Sequence, residues 1–204
     1  DEIYDQVFML NEQALTNYNQ KLSNIVFMGM GEPLLNYRNV LESIDKITST
    51  DGLGMSPKRI TLSTAGIAKL IKKLGDDKVK FNLALSLHAA NDNKRNHIMP
   101  INEQNSLQSL KEAIIYFYEK TLTRVTYEYI IFKDFNDGIC DAHELVKFTK
   151  ITPCKINIIE YNSIDDGEFQ QAKKEKVDAF VSYLESKNLI VNVRRSRGKD
   201  IDAA

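Results

Sequence analysis

Residues 24–36 read NIVFMGMGEPLLN. Ile25, Val26, Phe27 and Met28 form a short apolar run of the kind that makes one buried strand. Gly29, Gly31 and Pro33 then break it within a few residues. Glycine lacks a Cβ, so the backbone there can take positive φ and approach a bound molecule closely. Pro33 fixes its own φ and pushes Glu32 toward extended geometry. A strand that ends in such a turn, with a carboxylate planted in it, suits a ligand better than a core. Taken alone, the same letters also describe an ordinary strand-to-helix turn.

Working outward, strand and helix signals alternate. Ile3, Val7, Leu10 and Ala14 at helical spacing open the chain on a helix. After the organising strand, Asn36 is placed to cap a helix whose stripe is Val40, Ile44 and Ile47. Residues 59–63 (RITLS) read as a strand, followed by a short helix stopped at Gly75. Residues 79–87 are the next strand, with Phe81, Leu83, Leu85 and Leu87 on one face. Residues 91–105 read as a polar connection carrying Arg95, His97, Met99 and Pro100. Ser106 caps a helix with the stripe Leu107, Leu110, Ile114 and Phe117. Strands over 124–132 and 156–161 flank a helix over 141–150. A loop with Asp165-Asp166-Gly167, a helix with Val177, Phe180, Val181 and Leu184, and a strand over 189–193 close the pattern.

Such alternation calls for an α/β fold with a parallel sheet and right-handed crossovers, and it leaves open sheet or barrel undecided. In both, ligand groups belong at the carboxyl ends of the strands. Those ends carry Gly31 and Glu32, Ser63, Ser86 to His88, Lys133 and Asp134, and Asn162.

The 204 residues suffice for one domain spanning residues 1–204, with 43% apolar and 27% charged residues. Twenty-seven basic against 28 acidic residues give a net charge of −1, so nucleic-acid binding would rest on a local patch. No stretch approaches a membrane span, and no signal peptide is expected from the opening residues. Two cysteines, Cys140 and Cys154, make neither a disulfide framework nor a metal-ligand spacing, so a cytoplasmic location is expected. Cys154, between Pro153 and an apolar strand, reads as a buried thiol, and His143 as a surface residue.

Six segments carry a resemblance: MGMGEPLLN (28–36), RITLSTAG (59–66), LSLHA (85–89), MPIN (99–102), TPCKINIIEYN (152–162) and RSRGKDIDAA (195–204). In this order they resemble the radical SAM RNA methyltransferases, specifically the RlmN type that methylates carbon 2 of adenine in 23S rRNA and tRNA. The resemblance implies a partial (β/α)6 TIM-like radical SAM barrel lacking its first strand. It also implies S-adenosyl-L-methionine contacts at Gly31, Glu32, Ser63, Ser86, Leu87, His88 and Asn162. A 4Fe-4S cluster, a reductant protein and no membrane partner follow from the same family.

The family's C-x-x-x-C-x-x-C cluster loop, its methyl-carrying cysteine, its upstream glutamate base and its RNA-binding domain have no counterpart in these residues. The expectation is therefore a core fragment, without catalytic or metal-binding residues and without turnover of its own. Arg194, Arg195, Arg197 and Lys199 form one dense basic run that reads either as a solvated terminus or as a contact to RNA phosphates, with Arg95 in a similar role. The competing readings are the sister enzyme that methylates carbon 8 of the rRNA adenine, a non-catalytic cofactor- or RNA-binding module, and an unrelated α/β barrel enzyme.

Overall fold

Six apolar runs become six parallel strands: β1 (Ile25–Phe27), β2 (Ile60–Thr64), β3 (Asn82–Ser86), β4 (Val125–Ile131), β5 (Cys154–Glu160) and β6 (Val191–Arg194). They are hydrogen-bonded in chain order, each to the next, like the staves of an opened barrel. The structure is a computed structural model describing residues 2–28, 31–162 and 167–194. Helices α1 (Glu2–Tyr18), α2 (Tyr37–Thr48), α3 (Ala68–Asp76), α4 (Asp92–Ile98), α5 (Leu107–Thr121), α6 (Ile139–Thr149) and α7 (Lys174–Ser186) provide the crossovers. No described helix is long and apolar enough to cross a membrane.

The two faces of the sheet differ sharply. Ile60 and Leu62, Leu83 and Leu85, Tyr127 and Tyr129, and Ile156 and Ile158 are fully buried in the core against the helices. Each such side chain contributes about 1.5–3 kcal/mol of burial. The alternate positions read Thr61 and Ser63, Ala84 and Ser86, Thr126 and Glu128, Asn157, and Asn192. A parallel sheet normally hides both faces behind apolar residues. A polar second face is what a ligand-bearing interior requires.

Most of the expected stripes hold, and five details do not. On α1 the inward residues are Ile3, Tyr4, Val7, Asn11 and Ala14, while Leu10 is exposed. Asn11 turns inward because its Oδ1 accepts the Leu22 N–H, closing the α1–β1 loop. Asn36 precedes α2 but caps nothing; its side chain accepts from Asn39 Nδ2 instead. Gly75 does not stop α3, which runs on to Asp76. A Cβ on Gly75 would stand 3.2 Å from the Phe117 Cα, so glycine there lets α3 and α5 approach closely. Phe81 is buried but precedes β3.

The largest departure is 91–105, expected as a connection and found to hold α4 and a 3-10 turn, Pro100–Glu103. Asn91 caps α4, its Oδ1 accepting the Asn93 and Lys94 N–H groups.

After α5 the chain turns through Leu122, which holds φ of 53° while 76% exposed. The left-handed region is costly for a side chain bearing a Cβ. Leu122→Gly is therefore expected to raise stability by about 0.5–1 kcal/mol. A thermal melt showing a lower midpoint would contradict this.

Candidate functional site at the carboxyl ends of the strands

The turn after β1 ties itself to the end of β2. Gly31 holds φ of 105°, and the space where a Cβ would stand is open to 4 Å. Glu32 follows in extended geometry, as the proline behind it demands. Its Oε1 accepts the Leu34 N–H at 3.0 Å and the Thr64 hydroxyl at 2.8 Å, and its Oε2 accepts the Ala65 N–H at 2.6 Å. Thr64 Oγ1 in turn accepts the Gly66 N–H. Ser63, buried one residue before this knot, points from the polar face and pairs in register with Ala84.

The ends of β2 and β3 are held together by Arg95, which is 0% exposed. Its Nε donates to the Leu87 carbonyl and its Nη2 to the Ala65 and Ser86 carbonyls, while Nη1 donates to Asn102 Oδ1 at 2.6 Å. Asn102 completes the set by donating to Asp92 and Asn96. Burial lowers the Arg95 guanidinium to about 10, partly offset by Asp92, so it stays charged at neutral pH. The expected RNA contact at Arg95 is thus corrected: a guanidinium wholly enclosed and bonded to backbone carbonyls cannot meet a phosphate in solvent.

Beyond Ser86 the backbone twists to φ of 56° at His88 and swings its ring over β4. His88 Nδ1 accepts the Ile130 N–H at 3.1 Å, which assigns the ring proton to Nε2. Burial, and then the charge of Arg95, lowers the imidazole to about 4, so it is neutral at physiological pH. Leu87 sends its side chain into the core.

Asn136, fully buried, locks this corner: its Nδ2 donates to the His88 and Ile130 carbonyls and its Oδ1 accepts the Phe132 N–H. Asn162, two residues past β5, has a buried Oδ1 with no hydrogen-bond partner among the described residues. Beside it Tyr161 packs on Phe132, which meets Phe169 at 4.3 Å between ring centroids, with Phe135 and His97 at the rim.

All seven expected residues therefore lie at the carboxyl-terminal edge. Glu32, Ser63, Ser86 and His88 are linked through β2, β3 and Arg95, and Asn162 stands across β4 from them. Sequence reasoning missed Arg95 as a tie, Asn136 and the aromatic rim; a polar residue in a loop carries no sign that it is buried. Arg194 pairs with Glu128 at 3.5 Å, and Arg195, Arg197 and Lys199 lie outside the described residues, as do 163–166. A groove lined by Lys58, Lys80 and Arg124 lies at the opposite edge, where nothing in the seven-residue set reaches.

No family model matches the chain. It is 57% identical over 204 residues to a "Probable dual-specificity RNA methyltransferase RlmN" of Christiangramia forsetii, covering 100% of this chain and 58% of the relative. A Cytophaga hutchinsonii protein of the same name is 61% identical over 203 residues, of which the chain covers 56%. A crystal structure of a radical SAM methyltransferase from Sphaerobacter thermophilus superposes with a TM-score of 0.94 at 32% identity, over 100% of this chain and 59% of that one. Over its whole length the chain is similar to these proteins named as RlmN RNA methyltransferases and to the Sphaerobacter radical SAM methyltransferase. It spans a little under three-fifths of the length of those relatives. The α/β fold expected from the residues is that of the Sphaerobacter enzyme.

S-adenosylmethionine suits the residues present: the buried Asn162 amide oxygen has no hydrogen-bond partner among the described residues, and Gly31 has open space where a Cβ would stand. An iron-sulfur cluster does not. Cys154 is buried at the amino end of β5, opposite the site, where burial pushes its thiol up to about 11. Cys140 is exposed at the start of α6, and no described trio of His, Cys, Asp or Glu could hold a metal.

Proposed function

We propose that the chain is the cofactor-binding core of an RNA methyltransferase that modifies carbon 2 of adenine in 23S rRNA and tRNA, using S-adenosylmethionine. The observation that carries the reading is the alignment of Gly31, Glu32, Ser63, Ser86, His88 and Asn162 along one sheet edge in a chain 57–61% identical to the named enzymes. S-adenosylmethionine supplies the transferable methyl group.

Glu32 receives the ammonium of the methionine moiety, with Gly31 letting the backbone come close. Its neighbours Thr64 and Ala65 fix the carboxylate in place for that contact. Ser63 and Ser86 offer hydroxyls from the polar face. His88, neutral and pinned at Nδ1, presents Nε2–H as a donor. Asn162 offers its free Oδ1 to an amino group of the adenine. A cluster in the same mouth would take its thiolates from residues other than Cys140 and Cys154, and a reductant would serve that cluster.

The test uses the full-length protein. Titration calorimetry should show S-adenosylmethionine binding, weakened at least about 100-fold by Glu32→Ala, the loss of one charge-assisted contact together with its turn. Mass spectrometry of rRNA and tRNA nucleosides should show 2-methyladenosine. Appearance of 8-methyladenosine instead would transfer the chain to the sister activity, and absence of any methylated adenine would refute the reading.

A further inference from the structure

The polar face holds one buried carboxylate that none of these roles uses. Glu128, in the middle of β4, is 4% exposed. Its strand neighbours Tyr127 and Tyr129 go to the helices, so Glu128 stands on the opposite face. Register sets it directly beside Ser86 on one side and Asn157 on the other, with Asn192 next in the row. Ser63 lies one row below, paired with Ala84, and the His88 ring is bonded two residues above, at Ile130. Glu128 is therefore at the height of the proposed cofactor contacts.

Its two oxygens fare differently. Oε1 accepts Asn157 Nδ2 at 2.8 Å, and Asn157 Oδ1 accepts Asn192 Nδ2 in turn. Oε2 is buried with no hydrogen-bond partner among the described residues. Arg194 Nη1 stands 3.5 Å from it, near enough to balance charge and too far for a good hydrogen bond. That arginine is half exposed, so its side chain can swing aside. A carboxylate accepts and never donates, so an oxygen without a hydrogen-bond donor among the described residues calls for a ligand hydroxyl or amino group.

Position selects which one. The Glu32 carboxylate is bonded at the end of β2, and β4 lies two strands beyond it, roughly 10 Å at the usual strand spacing. An ammonium held at Glu32 cannot also reach Glu128. The far half of the same ligand is its nucleoside, whose base edge falls to Asn162, farther along β5. Ribose hydroxyls remain, and a carboxylate is the group that other nucleotide-binding folds use to receive them. We propose that Glu128 Oε2 accepts a ribose hydroxyl of a nucleoside seated in the mouth. The inference rests on the cofactor reading above and adds a sugar-selecting residue to it.

The hydroxyl can belong to the cofactor or to the target adenosine, and two ligand pairs separate them. The full-length protein is titrated with S-adenosylhomocysteine against its 2′-deoxy and 3′-deoxy analogues. It is then titrated with an adenosine-bearing RNA hairpin against the same hairpin carrying one 2′-deoxyadenosine. The wild type should bind the ribose form about tenfold more tightly in one pair, about 1.4 kcal/mol. Glu128→Gln should narrow that ratio to about twofold, since a charged acceptor is the stronger one. Discrimination with S-adenosylhomocysteine assigns the hydroxyl to the cofactor, and with the hairpin to the RNA. Indifference of the wild type in both pairs overturns the proposal, whether or not the variant folds, and so does undiminished discrimination in Glu128→Gln. If S-adenosylhomocysteine fails to bind at all, the cofactor reading falls and the hairpin pair alone decides Glu128.

Discussion

Arg95→Met is expected to lower the unfolding free energy by about 3–5 kcal/mol, the cost typical of breaking a buried charged network. Methionine matches the length of the arginine stem, so the cavity left is small. What it removes are the donors to the Ala65, Ser86 and Leu87 carbonyls and to Asn102 Oδ1. Those acceptors are then enclosed with nothing to bond, and each such group carries its full desolvation cost. Arg95→Lys should recover little, because one ammonium cannot span β2, β3 and the turn after α4 at once. Urea denaturation of both variants is the measurement. A loss under about 1 kcal/mol in the methionine variant would mean that backbone pairing alone aligns the strand ends.

The second large effect is expected at Asn136. Asn136→Asp keeps the shape and the acceptor that receives the Phe132 N–H, and replaces an amide that donates to the His88 and Ile130 carbonyls with a second acceptor. Oxygen would face oxygen in a fully buried corner, at a cost of about 3 kcal/mol. Because volume is conserved, a cavity cannot explain the loss. The same variant should release the His88 loop, read as faster amide exchange at Ile130, whose N–H bonds the imidazole. Unchanged denaturation and unchanged exchange together would show that the amide does not hold this corner.

These two residues also mark where the sequence stops being legible. Strands such as Val125–Ile131 and Cys154–Glu160 announce themselves because one face is apolar at every second position. Stripes such as Leu107, Leu110, Ile114 and Phe117 do the same for helices. α4 stayed hidden because the residue it buries is an arginine, and a hydrophobic pattern cannot register a charge that folds inward to satisfy carbonyls. Gly75 misled for the reverse reason: it read as a stop signal, while its missing side chain serves helix contact. In the site, the glycine-bearing turn and the strand-end serines followed from chain direction alone. Asn136 and Glu128 did not, since nothing local tells a buried polar residue from a solvated one.

The bonding of Glu32 has one more consequence. A carboxylate offers about four lone-pair directions, and Leu34, Thr64 and Ala65 already occupy three of them. Among the described residues one direction is left, on Oε2. In the proposed contact the ammonium would meet a carboxylate whose orientation those three bonds already fix, so little reorganisation of the side chain is required. The vacancy also admits one donor along one line, which makes the turn a gauge of approach angle as well as of charge.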